Sequence, residues 1–410
     1  MKYAIVLPDG AADESLPQLD GQTPLEAARI PNIDWIASHG RMGRAVTVPD
    51  GFIPGTDVAT LALFGYDPHR YYSGRAPIEA AAKGLTAADD ELIFRCNFVT
   101  IADGRMRDFT AGHITQEEAD RLIADLNDLV RTGEAALHGC RFYSGVSYRN
   151  LMIAADATGM KLKCAPPHDI PNEAVTDHQP VGDGRPRVQA IMRRAADMLA
   201  DHEINRARRQ AGRPLVSDIW LWGQGRPVAL PPFAERYGVR GAAITGVDII
   251  RGLAVSMGMQ LIHVDGITGY LDTNYAGKGE AAVRALDEYD LAVVHVEAPD
   301  EASHQGNPAE KVKALEKIDE HVVGPLLERL CRQKDWRILV APDHHTLCST
   351  TAHDAAPPPF CFAGSDVRTA GGASFSEANA RATGRLIDPG CELMEYFFGR
   401  KEWAGSGSSR

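Results

Sequence analysis

Short apolar runs near both ends of this chain stop on residues that ligate metals, and this recurrence constrains the fold more than any other feature. Residues 3–7 lead into Pro8-Asp9-Gly10, residues 291–296 lead to Asp300, and residues 338–341 lead into Asp343-His344. Runs this short and this apolar read as buried parallel strands. Loops at strand ends are where open α/β sheets place their chemistry. One sheet built from both ends of the chain is the simplest way to unite them.

Between those ends the pattern changes. Thr115 and Glu118 form a capping box ahead of an amphipathic helix over 115–131, with Leu122, Ile123, Leu126 and Leu129 on one stripe. Residues 141–154 alternate like strands of a mixed sheet, and 187–201 reads as a further helix. From 218 the alternation of strand and helix returns. Strands are expected at 219–222, 260–264, 291–296, 338–341 and 359–362, with helices at 246–256, 278–288 and 308–332. Near the N-terminus Thr23 caps a helix with Pro24 in its first position, Pro31 ends it, and a second helix spans 32–40. The expected fold class is α/β. A doubly wound core would be formed by 1–85 and 216–402, with a smaller α+β insertion at 86–215 acting as a cap and a flexible tail at 403–410.

A chain of 410 residues with 44% apolar content can bury a full core. Its formal charge of -12 argues against a nucleic-acid partner, which would want a basic face. A small anionic substrate is still allowed, because local cations can override net charge. No apolar run is long enough to span a membrane, and the N-terminus enters a strand without a signal segment, so a cytoplasmic protein without a membrane partner is expected. The seven cysteines are scattered, with no C-x-x-C, as in a protein of reduced thiols. Composition leaves the oligomeric state open, a homo-oligomer included.

Asp300 and His304 stand four apart, which puts both side chains on one face of a helical turn. Adjacent ligands such as Asp343 and His344 do not easily bind one ion from the same side, so they bind two ions, or one binds and the other supports. Asp9 alone could be a turn former, His353 a loop histidine and Thr56 a helix N-cap. A hydroxyl held among carboxylates and imidazoles could also be a phosphoryl acceptor. Mixed oxygen and nitrogen donors suit two divalent ions, Mn²⁺ first, with Zn²⁺, Co²⁺ or Mg²⁺ as alternatives. His295, inside a strand, reads as a satisfied core histidine. The segment around Gly277-Lys278-Gly279 has the wrong spacing for a P-loop.

In this order the pieces resemble the alkaline phosphatase superfamily and, within it, the archaeal-type cofactor-independent phosphoglycerate mutases. The resemblance is carried by Leu7-Pro8-Asp9-Gly10-Ala11-Ala12-Asp13, Pro54-Gly55-Thr56-Asp57-Val58-Ala59, Ser73-Gly74-Arg75-Ala76-Pro77 and Pro299-Asp300-Glu301-Ala302-Ser303-His304, among other stretches up to about residue 363. It implies an alkaline-phosphatase-like core and two ion sites, one formed by Asp300, His304 and His353, the other by Asp9, Asp343 and His344. Thr56 would touch both ions as the nucleophile, where the family usually has serine. Arg75, Arg95, Asn97 and Arg149, with His113 and His168, would bind a small phosphorylated hydroxy acid. The implied reaction is the glycolytic interconversion of 3- and 2-phosphoglycerate through a phosphothreonine, without 2,3-bisphosphoglycerate. A related phosphotransferase, such as a proposed homoserine kinase, or a phosphatase is the alternative.

Overall fold

The computed structural model describes residues 1–403 apart from 156, 158, 159, 228, 370 and 371; the expected tail lies, from 404 on, outside the described residues. The chain divides into two compact units, Met1–Tyr72 with Ala229–Arg410, and Ser73–Val228.

The first unit is α/β around an eight-stranded sheet. Lys2–Pro8 is central, with Leu291–Val296 parallel on one side and Trp336–Val340 parallel on the other. Gly241–Ile244 continues the parallel series beside Leu291–Val296, and Gln260–Leu261 ends that edge. Beyond Trp336–Val340 the strand Pro359–Gly364 runs antiparallel to both of its neighbours, Trp336–Val340 and Arg41–Ala45, and Leu386–Ile387, parallel to Arg41–Ala45, closes the other edge. The central strands are apolar at nearly every position because both faces are covered, as in doubly wound sheets. Ala4 and Val6 face a core with Ile33, Ile36, Ala282, Leu286, Ile318 and Leu326. The parallel strands bring Asp9, Thr245, Glu297 and Asp343 to one end of the sheet.

The second unit is α+β around a five-stranded antiparallel sheet. Leu92–Ala102 pairs with Arg105–Asp108, Arg149–Ala154 and Asp218–Gly225. Leu92, Phe94, Cys96 and Phe98 pack with Ala119, Leu122 and Leu126 of helix Gln116–Arg131 and with Val188 and Ile191 of helix Arg185–Ala200. Alternation turns Ile93 the other way, onto Ala76 and Ala80 of helix Arg75–Ala82. The capping box of Thr115 and Glu118 is present.

Some expectations are corrected. Residues 219–222 lie within Asp218–Gly225, a strand of the second unit. The helix Arg75–Ala82 also belongs to that unit, which therefore extends beyond 86–215 at both ends. The single helix expected at 308–332 is Pro308–Ile318 and Gly324–Cys331 joined by a π-turn at Asp319–Val323. The Asp319 carboxylate there accepts the backbone N–H groups of Asn32 and Ile33, at the start of helix Pro31–His39. All seven cysteines are free thiols, and no helix among the described residues is long and apolar enough to cross a membrane.

Candidate active site

Seven residues expected to act together meet in the first unit. The helix Ala298–His304 places Asp300 and His304 one turn apart, with His304 Nε2 3.2 Å from Asp300 Oδ2. His353, on the short strand Ala352–Asp354, sets its Nε2 3.0 Å from His304 Nε2 and 3.5 Å from Asp300 Oδ1. The outer nitrogens of this pair are held by backbone carbonyls, His304 Nδ1 by Thr351 at 2.9 Å and His353 Nδ1 by Pro54 at 3.2 Å. Both Nε2 atoms are thereby aimed inward.

The second group is buried. His344 Nε2 lies 3.4 Å from Asp9 Oδ1 and 3.5 Å from Asp343 Oδ2. The neighbours Asp343 and His344 therefore converge on one point, against the sequence argument that they could not easily share it. The reason is a bend: the chain leaves strand geometry after Val340, so successive side chains no longer alternate. Ligand atoms of Asp9, Asp343 and His344 lie within 4.8 Å of one another, as do those of Asp300, His344 and His353.

Gly10 makes this convergence possible. Its φ of +59° lies in the left-handed region, and a Cβ there would stand 2.5 Å from both Asp300 Oδ1 and Thr346 Oγ1. Its N–H donates to Asp343 Oδ1 at 3.1 Å.

Thr56 is the first residue of helix Thr56–Leu63, not its N-cap, which is Gly55. Its hydroxyl is therefore not spent on capping. Oγ1 stands 3.3 Å from His344 Nε2 and 3.4 Å from Asp9 Oδ2.

The charges match a cation site. Burial, then the charges of Asp343, Asp300 and Glu297, push the Asp9 carboxyl well above the ordinary range. Asp9 Oδ1 is buried without a hydrogen-bond partner among the described residues; the His344 contact lacks hydrogen-bond geometry. Burial also works against the Asp300 carboxylate, but hydrogen bonds from His304 and His353 outweigh it and hold its pKa well below the usual range. The same bond raises His304 to about 9. An unpaired carboxylate oxygen amid repelling carboxylates and convergent imidazoles is what a divalent ion would satisfy, so the donor set fits two such ions.

Sequence reasoning missed several partners. His295 is the satisfied core histidine expected, fully buried with both ring nitrogens partnered, but one partner belongs to the site: its Nε2 lies 2.8 Å from Asp9 Oδ2. Thr346 Oγ1 donates to Asp300 Oδ1 at 2.5 Å, and Thr60 Oγ1 to Asp343 Oδ2 at 3.3 Å. A titratable residue within an apolar strand was the available signal for His295.

The expected anion-binding residues lie in the second unit. Arg95 is buried, with its guanidinium 4.3 Å over the Trp222 ring and its Nε 3.0 Å from Glu79 Oε2. Burial lowers its pKa to about 10, and Arg75 and Arg149 add to the lowering. Glu79 also meets Arg75 at 3.3 Å. His168 packs edge-on to Trp222 at 5.1 Å; burial, then Arg95 and Arg75, depress its pKa. Asn97 accepts the Trp222 Nε1–H at 3.1 Å. Arg95 is thus within electrostatic reach of Arg75, Arg149 and His168, whereas His113 sits on an exposed turn with Asp108 and Thr110 as neighbours.

The family model for 2,3-bisphosphoglycerate-independent phosphoglycerate mutase matches residues 37–205. The chain is 46% identical, over 398 residues, to a protein of that name from Methanothrix thermoacetophila, with 96% of this chain and 98% of the relative covered. It is similar in structure to the PH0037 protein from Pyrococcus horikoshii, at a TM-score of 0.80 and 28% identity over 99% of each chain. The cofactor-independent phosphoglycerate mutase from Thermoplasma acidophilum is similar at a TM-score of 0.66 and 25% identity, over 98% of this chain and all of that one (100%).

Proposed function

We infer the reaction from one premise: this chain belongs to the family of 2,3-bisphosphoglycerate-independent phosphoglycerate mutases. Its activity is accordingly the isomerisation of 3-phosphoglycerate and 2-phosphoglycerate, a step of glycolysis and of its reversal. Thr56 is the nucleophile. The supporting observation is its hydroxyl, free of capping duty and within 3.4 Å of both Asp9 and His344.

Asp300, His304 and His353 would hold one divalent ion, and Asp9, Asp343 and His344 the other. Such ions supply Lewis-acid stabilisation of phosphoryl charge and lower the pKa of a hydroxyl beside them. The helix start at Thr56 adds backbone N–H groups and the positive end of its dipole, both suited to phosphate. In the first half-reaction the Thr56 Oγ–P bond forms and the ester O–P bond of 3-phosphoglycerate breaks, leaving phosphothreonine and glycerate. In the second, the 2-hydroxyl of glycerate takes the phosphoryl group back and Thr56 Oγ is released. No external phosphate donor is needed, which suits a mutase that works without 2,3-bisphosphoglycerate. The guanidinium groups of Arg75, Arg95 and Arg149 are assigned to the acid's carboxylate, on their chemistry as planar anion-binding forks. His168 and Asn97 join that set, and His113 is the weakest member on position.

The test is an enolase-coupled assay of the Mn²⁺-supplied full chain with 3-phosphoglycerate and no bisphosphoglycerate, with Thr56→Ala alongside. Metal-dependent production of 2-phosphoglycerate, lost in Thr56→Ala, is the expected result. Bound metal without turnover would overturn the reading and move the search to ATP with homoserine, then to phosphate esters.

A further inference from the structure

We propose that His295 is a positioning residue for the ion assigned to Asp9: it ties down Oδ2 and leaves Oδ1 as the single ligating oxygen. The inference rests on the metal reading above.

The geometry suits a ring proton at Nε2. His295 is fully buried in strand Leu291–Val296, and its Nε2 is 2.8 Å from Asp9 Oδ2. On its other side Nδ1 lies 3.2 Å from Thr245 Oγ1. That oxygen already accepts the Val247 N–H at 3.1 Å, so the threonine's own proton is available to Nδ1. A neutral imidazole that accepts at Nδ1 must carry its proton at Nε2, and there it donates to Asp9. Lys278 Nζ donates to the His295 backbone carbonyl at 2.9 Å, which pins the strand under the ring.

The consequence lies on the far side of the carboxylate. With Oδ2 tied, Oδ1 is left without a hydrogen bond, among the donor atoms of Asp343 and His344. Without His295, Oδ2 would keep only the longer 3.4 Å contact from Thr56 Oγ1, and because a carboxylate torsion is broad and roughly two-fold, Asp9 could then offer either oxygen or both. A fixed hydrogen bond to a ligand selects one orientation, and losing it typically costs about 10- to 100-fold in metal affinity.

The experiment is calorimetric titration of Mn²⁺ into the metal-free full chain. Wild-type protein is expected to bind two ions. In His295→Phe, which keeps a ring but no donor, one ion should bind about 10- to 100-fold more weakly and the other as in the wild type. His295→Gln, whose amide can reach the place of Nε2–H, should recover most of the loss. Unchanged binding of both ions in His295→Phe overturns the inference, and so does equal weakening of both. Wild-type protein that binds fewer than two ions overturns the metal reading itself, and this inference with it. Should His295→Phe fail to fold, Thr245→Val removes the proton that sets the tautomer and should weaken the same single ion about tenfold.

Discussion

The Oγ1 of Thr56 lies 3.3 Å from Nε2 of His344. This places the hydroxyl against the imidazole that belongs to both donor groups. Removing the hydroxyl should abolish turnover, by a factor on the order of a thousand or more in Thr56→Ala, as for other nucleophiles. Thr56→Ser keeps the oxygen and drops only a methyl, so its kcat should stay within about tenfold of the wild type. Steady-state assays of the two variants decide this, and a Thr56→Ala enzyme of near-normal rate removes Thr56 from the role.

Gly10 is the tightest point of the site. A side chain at this position must both adopt a left-handed backbone, costing about 1–2 kcal/mol, and displace Asp300 and Thr346. Gly10→Ala should therefore fold less stably and bind metal far more weakly, with turnover falling at least about a hundredfold through misplaced ligands. Thermal melting with and without Mn²⁺ measures both effects. Normal metal-dependent stabilisation in this variant would contradict the close approach of Gly10, Asp300 and Thr346.

Metal removal should destabilise the first unit. Burial and the charges of Asp343, Asp300 and Glu297 raise the Asp9 carboxyl well above its ordinary range. A raised carboxyl stabilises the fold only while protonated, so the metal-free protein loses that support as pH rises through the folded value. A bound ion reverses the penalty, and at a hundred times its dissociation constant adds about 2.7 kcal/mol. Chelation at pH 7 should thus lower Tm, and Asp9→Asn should shrink the difference between chelated and Mn²⁺-supplied protein. An unchanged difference in Asp9→Asn speaks against Asp9 as a ligand.

Part of this site was legible because its signals are local. Asp300 and His304 share one helical turn, and Asp9 and Asp343 each close an apolar run, so spacing alone brought out both features. His295 was not, because its partner Asp9 is 286 residues away and only the parallel register of strands 2–8 and 291–296 brings them together. The strand Asp218–Gly225 was assigned to the wrong sheet for a similar reason. Its apolar run looks like a core strand, and only pairing with Leu92–Ala102 settles where it belongs. The π-turn at Asp319–Val323 likewise carries a contact remote in sequence, since its Asp319 carboxylate receives Asn32 and Ile33.

Acid should weaken the second unit's ion-pair network around Glu118. Burial works against the Glu118 carboxylate, but hydrogen bonds from Arg208, the Thr115 N–H and Arg213 hold its pKa at about 2. A depressed carboxyl stabilises the fold above its unfolded value of about 4.3 and loses that contribution as pH falls. Wild type and Glu118→Gln should therefore differ by about 2 kcal/mol at pH 7 and converge as pH approaches 2. Melting curves across that range test the sign. A difference that persists undiminished at low pH would assign the effect to the lost capping box instead.

Arg95 supplies the sharpest test of the anion-binding cluster. Its guanidinium carbon lies 4.3 Å over the Trp222 ring and its Nε 3.0 Å from Glu79, so the group is held on two sides before any ligand arrives. A lysine keeps the charge but has neither the flat face that stacks nor the fork that meets a carboxylate in two bonds. If the group binds the substrate's carboxylate equally in ground and transition states, Arg95→Lys should raise KM about tenfold and leave kcat nearly unchanged. If it aligns the acid for transfer, kcat should fall instead, because misplacing a reactant is felt in the chemical step. Steady-state kinetics with 3-phosphoglycerate separate the two. Wild-type values of both constants in Arg95→Lys would remove Arg95 from substrate binding and leave it as a structural partner of Trp222 and Glu79.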